Sequence, residues 1–113
     1  MPKFVTLFSW TTDSLARFIE HPEDRRGPVG RLAEAAGGRL EAYYGMFGQY
    51  DGMAIFDMPD SATQAALVLA VSSSGVFRHA ETHELIEAAD LVTILQKAQT
   101  LRPTYQPPGQ TSR

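Results

Sequence analysis

His79, Glu81 and His83 form the densest run of proton-carrying and metal-ligating side chains in the sequence. Their spacing of two puts all three on one face if the segment is a strand, because side chains alternate there. Neighbours at i and i+2 can share an ion, and imidazole with carboxylate suits Zn, Fe, Ni or Mn. The pair that fits one ion is His79 with Glu81, since His79 and His83 stand about 13 Å apart on an extended strand. The favoured expectation is no metal: His79 lines a sheet surface, while Glu81 and His83 meet solvent near the strand end. A helical reading of His83 to Thr100 also exists, but His83-Glu84-Leu85-Ile86-Glu87 lacks the second histidine of a zincin.

Other reactive types are more scattered. Tyr50-Asp51 follows Gly48-Gln49 in a turn. It offers a phenol beside a carboxylate for ligand contact, although Asp in such a place commonly bonds turn amides. His21 precedes Pro22, where the helical conformation is disfavoured. A haem ligand there would rest on analogy alone, so haem, like metal, is not favoured. Ser72-Ser73-Ser74 precedes Gly75 and reads as a helix stop, with no G-x-S-x-G. No P-loop or G-x-G-x-x-G is present, and Gly37-Gly38 is a helix end.

Two folding patterns must position these groups. Lys3–Trp10, Arg39–Phe47, Gly52–Met58 and Val76–Leu85 are rich in β-branched and aromatic residues and read as strands. The second and third are joined by Gly48–Asp51 as a hairpin. Between the first two strands lie two helical pieces, capped by Thr12 or Asp13, broken at His21-Pro22 and ended at Gly37-Gly38. Pro59-Asp60-Ser61 caps a helix from Ala62 to about Ser72. A last helix runs from Ala88 to Thr100 with Leu91, Val92 and Leu95. The order is α+β, βαββαβ with an extra C-terminal helix, a ferredoxin-like antiparallel sheet. Residues 1–101 form the domain, and residues 102–113, rich in Pro, Gln, Ser and Thr, form a flexible or partner-contacting tail anchored by Tyr105.

The facing of the strands yields a candidate pocket. Glu41 does not belong against packed helices without a partner. Its alternation sends Glu41, Tyr43, Gly45 and Phe47 away from the helices, and Leu40, Ala42, Tyr44 and Met46 toward them. Asp57 shares its face with Met53 and Ile55. In the fourth strand, small Ala80 faces the helices with Arg78 and Thr82. Phe77, His79, Glu81 and His83 then face away. Tyr43, Phe47, Met53, Asp57 and His79 would line a mainly apolar pocket with few polar groups, as small-molecule sites do.

Both faces of the first strand are apolar: Phe4, Phe8 and Trp10 on one, Val5 and Leu7 on the other. A sheet with one wet face alternates more cleanly. Helices cover one face, and the simplest cover for the other is a second copy.

The 113 residues with 43% hydrophobic content support one domain with a core. A net charge of −3 gives no basic surface for nucleic acid, and Arg25-Arg26 reads as a solvated helix approach. The absence of cysteine excludes disulfides, thiolate metal sites and cysteine nucleophiles, and accords with a cytoplasmic location. Neither a signal-peptide pattern nor a run of about 20 apolar residues is seen.

Three segments carry a family resemblance: FVTLFSWT, AAGGRLEAYYGMFGQYDGMAIFDMPD and SSGVFR. In this order, over Lys3 to Leu95, they resemble the GYD domain family of small, mostly bacterial proteins. The resemblance implies a dimeric α/β barrel, in which two ferredoxin-like sheets pack face to face. More distantly, Gly48-x-Tyr50-Asp51 and Gly75-Val76-x-Arg78 are similar to the effector-binding domain of leucine-responsive regulators, without the DNA-binding domain. The chain departs from the family at His79, Glu81 and His83, where Thr, Thr and a basic residue are usual.

Three functions remain open at this point. The first is a barrel binding an apolar or aromatic small molecule, as a cofactor-independent oxygenase, isomerase or cyclase. There His79 or Asp57 would move a proton, Tyr43 or Tyr50 would position the substrate, and Phe47 and Met53 would line the site. The second is a non-catalytic ligand-sensing or assembly module. The third is a metal-binding protein using His79 and Glu81. The expected partners are further copies of the chain and a small ligand, with neither nucleic acid nor membrane.

Overall fold

The computed structural model describes residues 1–110. Its elements are β1 (Lys3–Trp10), α1 (Thr12–Glu20), α2 (Arg26–Ala35), β2 (Arg39–Gly45), β3 (Gly52–Asp57), α3 (Ser61–Ser72), β4 (Phe77–Leu85) and α4 (Ala88–Leu101), then a 3-10 turn, Arg102–Thr104. Of the expected tail, residues 111–113 lie outside the described residues. The four strands form one antiparallel sheet in the order β2-β3-β1-β4, the ferredoxin-like arrangement.

Local chemistry sets the boundaries. Thr11, one residue before the expected cap, accepts from the Ser14 N–H at 3.3 Å and starts α1. Asp60 accepts from the Thr63 N–H at 2.8 Å and starts α3. Gly37, at φ +84°, turns the chain out of α2 in a conformation that side chains with Cβ rarely adopt. Gly38 follows for a different reason: a Cβ there would sit 2.2 Å from the Asp57 carbonyl oxygen, so β2 can enter the sheet only without one.

One face of the sheet carries the core. Phe4, Ala54 and Phe56 pack with Ala33 of α2, Met58 and Leu67 of α3. Thr6 is also on this face, linked to Thr82 at 2.8 Å and accepting from Gln64 of α3 at 3.2 Å. The opposite face presents Val5, Leu7, Met53 and Ile55 in register, Val5 against Ile55 and Leu7 against Met53. None of the residues of α4 is buried. The helix projects from the end of β4, and the molecule measures 65 × 31 × 23 Å.

Two irregularities change the expected facing. In β2, Leu40 opposes Phe56 and Ala42 opposes Ile55, so Glu41 is an extra residue. Beyond this bulge the alternation inverts: Tyr43 faces the helices and Tyr44 faces away, the reverse of the strict period-two reading. In β4, His79 pairs with Ser9 but Phe77 pairs with Trp10, so Arg78 is the extra residue. Phe77 therefore joins the helix side, stacked on Phe8 at 5.0 Å between ring centroids, whereas His79 remains on the open face.

Candidate functional site

The open face carries a polar cluster at the β1–β4 end. Glu81 is its centre. The Tyr50 phenol donates to Glu81 Oε1, His83 Nε2 lies 2.6 Å from Oε2, and His79 Nε2 lies 3.7 Å from Oε1. The rings of Tyr50 and His79 stack at 6.1 Å. Strand alternation presents both histidines on this face, and Glu81 between them is within reach of each. The hairpin loop brings Tyr50 across from β3. The two imidazoles thus flank a single carboxylate, whose Oε1 accepts from the Tyr50 phenol and whose Oε2 lies within hydrogen-bond distance of His83. Among the described residues no three His, Asp or Glu side chains are arranged to hold one ion. His79–Glu81 and His83–Glu81 are each two-ligand sets at most.

At the opposite end of the same face, Asp57 lies in a separate ion network. Lys3 Nζ donates to its Oδ1 at 2.9 Å and also contacts Glu41, and Arg39 Nη2 lies 2.9 Å from Oδ2. The Lys3 hydrogen bond, then the Lys3 and Arg39 charges, hold the Asp57 carboxyl below the usual carboxylate range against the opposing effect of burial. Asp57 pairs with Lys3, whereas His79 pairs with Ser9, six residues further along β1. At the rise of an extended strand that is about 20 Å. The expected pocket uniting Asp57 and His79 is therefore not formed within the chain. Of its other members, Tyr43 lies on the helix side, Met53 lies on the open face, and Phe47 is wholly exposed in the hairpin loop.

The enclosed space lies under the helices instead. A cavity of about 50 Å³ is walled by Phe8, Trp10, Tyr43, Val68 and Phe77, with Arg25 at its edge. Burial pushes the Tyr43 phenol up to about 12, offset slightly by the Arg25 charge. Trp10, Arg25 and Val76 continue into an open groove of about 280 Å³ with Ser14, Arg17 and His21. Sequence reasoning missed this place because it set Arg25 aside as a solvated charge and turned Tyr43 and Phe77 to the wrong face. The only signal was the run of aromatics Phe8, Trp10 and Phe18.

The hairpin motif carries the family signature, and the chain matches the GYD domain over residues 4–95. The chain belongs to the GYD domain family. A relative from Thermus thermophilus, named glutamine synthetase and cystathionine beta-lyase binding protein, is 31% identical over 96 residues, which is 85% of this chain and 100% of the relative. Among solved structures, one from Thermus thermophilus superposes with a TM-score of 0.50 at 19% identity, covering 78% of this chain and 96% of the other. A hypothetical protein of Pyrococcus horikoshii gives a TM-score of 0.50 at 11% identity, covering 77% and 92%. Both show the fold.

In this GYD domain the signature residues divide their roles. Asp51 Oδ2 accepts from the Trp10 N–H at 2.8 Å, and the Asp51 N–H donates to the Phe8 carbonyl at 2.8 Å. The loop is thereby tied to the end of β1 where the ladder to β4 shifts. Ser9 Oγ adds a bond to the Gln49 carbonyl at 2.9 Å. Asp51 is a structural clasp, and Tyr50, held by it, is free to reach Glu81. No helix among the described residues is long and apolar enough to cross a membrane.

Proposed function

We propose that this GYD protein is a non-catalytic binding module that works as an assembly of at least two copies, closed through the open sheet faces, and that it docks on a metabolic enzyme. The observation that carries this reading is the apolar band on the face opposite the helices, where half-buried Leu7, Met53 and Ile55 surround buried Val5 and are flanked by exposed Tyr44 and Phe47. Soluble domains rarely leave a contiguous apolar surface of this kind without a partner. A face-to-face pair is isologous, so one patch serves both copies. The name of the Thermus relative supports protein partners, and glutamine synthetase and cystathionine β-lyase are the first to test. Asp57 and His79 lie far apart within one chain, which weighs against the general acid–base reading that joined them.

The test is native mass spectrometry of the purified chain, followed by calorimetric titration against glutamine synthetase and cystathionine β-lyase from the same organism. The expected result is a dimer or larger species that binds at least one enzyme. A monomer at micromolar concentration, or an assembly that binds neither enzyme, would overturn the corresponding half of the proposal.

A further inference from the structure

We infer that α4 is an exchanged arm: the apolar stripe of one copy's α4 docks in the groove between α3 and β4 of a second copy. This rests on the assembly of copies proposed above and names a second contact within it.

The arm has one apolar side. At 100° per residue, Leu101, Ile94, Ala98, Leu91, Leu95, Ala88 and Val92 fall within one half of the helix, and Asp90, Thr93, Gln96, Lys97 and Thr100 on the other. Its own domain does not use this side: Leu91, Val92, Ile94, Leu95 and Leu101 are between 41% and 68% exposed. Isolated helices of this length are marginal in water, so fourteen helical residues with no buried face call for a packing partner.

The acceptor is an open groove of about 450 Å³ on the helix side of the sheet. The sheet order leaves β4 at an edge, and α3 lies inward of it. Phe4, Ala65, Leu69 and Ala80 give the groove an apolar lining, with Leu69 69% exposed. Small Ala65 and Ala80 permit close approach of a helix. The flanking α3 has 12 residues and α4 has 14, about 18 and 21 Å, so an arm fits along the groove's length.

A second, independent observation singles out the groove. Gln64, 1% exposed, lines it, and its carboxamide Oε1 has no hydrogen-bond partner. An unpaired buried polar atom is costly and rare. The only carboxamide within the apolar half of α4 is Gln99, between Val92 and Leu95 in projection. Gln64 Oε1 has less than 1 Å² of exposed surface, so Gln99, which carries both a donor and an acceptor, meets it only as the Gln64 carboxamide turns outward on docking. Gln99 lies beyond the part of the chain that matches the GYD domain, residues 4–95, so the pairing is argued from this chain's residues alone.

The chain contains no cysteine, so introduced thiols report geometry without background. Leu69→Cys would be made in one copy. Leu91→Cys, Leu95→Cys or Ala98→Cys would be made in separate, mass-tagged copies, sampling successive turns of α4. Mixing and mild oxidation should give a disulfide between the two variants for at least one α4 position, in several-fold excess over either variant linked to itself. A double variant that closes the bond within one chain would overturn the exchange, as would α4 thiols that link chiefly to each other. Leu7→Cys on the open face is the separate control. If Leu7→Cys chains cross-link to each other while no α4 position links to Leu69→Cys, the arm proposal fails and the sheet-face assembly stands. A chain that stays monomeric and links nowhere sinks both.

Discussion

Asp51 and Asp57 are two carboxylates with similar surroundings in the sequence, each at an end of a strand, and both are engaged by hydrogen bonds to groups on β1. Asp51 satisfies the Trp10 amide at the β1–β4 bulge. Asp51→Ala removes that acceptor and leaves the amide without its partner, so it should lower stability by about 0.5–2 kcal/mol, read as a fall in Tm. Unchanged Tm with loss of enzyme binding would make Asp51 a binding residue instead. Asp57 is held charged by Lys3 first and Arg39 second. Its folded-state pKa is depressed, so its contribution is present above the unfolded value of about 3.9 and is lost as pH falls through the folded one. Asp57→Asn should cost about 1–2 kcal/mol at pH 7 and should flatten the decline of Tm below about pH 4. A variant with the same acid slope as the parent would show that Asp57 plays no part in it.

The elements were largely legible from pattern, and the errors of facing have one cause. Strand period, the Gly37-Gly38 stop, the Asp60 cap and the hairpin loop all follow from local rules, and the structure forms each of them. Facing failed only where a bulge adds a residue, at Glu41 and Arg78. A bulge is decided by what the neighbouring strand offers: Glu41 reaches Lys3 beside Asp57, and Phe77 reaches the aromatic stack of Phe8 and Trp10. Neither partner is near in sequence. Close approach at Gly38 gives a sharp test of this packing. Gly38→Ala places a methyl group 2.2 Å from the Asp57 carbonyl oxygen and 2.8 Å from Met58 Sδ, and should cost about 1–3 kcal/mol or more. Gly45→Ala meets nothing within 4 Å and should stay within about 0.5 kcal/mol of the parent. Chemical denaturation of the two variants side by side measures the difference, and equal midpoints would refute it.

For the whole molecule, α4 and the open face carry much of the apolar content that a single copy leaves exposed or half-buried. Ile55 sits between Val5 and Ala42 in the middle of the open face. Ile55→Arg should convert the assembly to monomers in light scattering while far-UV circular dichroism is retained, because the charge is desolvated only when two faces meet. Retention of the parent mass would move the interface elsewhere. The Tyr50–Glu81–His79–His83 cluster lies on the same face and would be covered in a face-to-face pair, so its polar contacts would help to align the copies rather than meet a substrate.

Taken alone, the sequence determined the order of elements, the ferredoxin-like class and the presence of a second apolar face, because each depends on local periodicity, capping and turn chemistry; the family came from the resemblance of three segments. It also placed His79, Glu81 and His83 together on one strand face. Only the tertiary structure decided that Tyr43 and Phe77 turn under the helices, that Asp57 belongs to Lys3 and Arg39, and that Tyr50 reaches Glu81. Those outcomes depend on register between strands rather than on the pattern within one, and a single extra residue in a strand reverses every side chain beyond it.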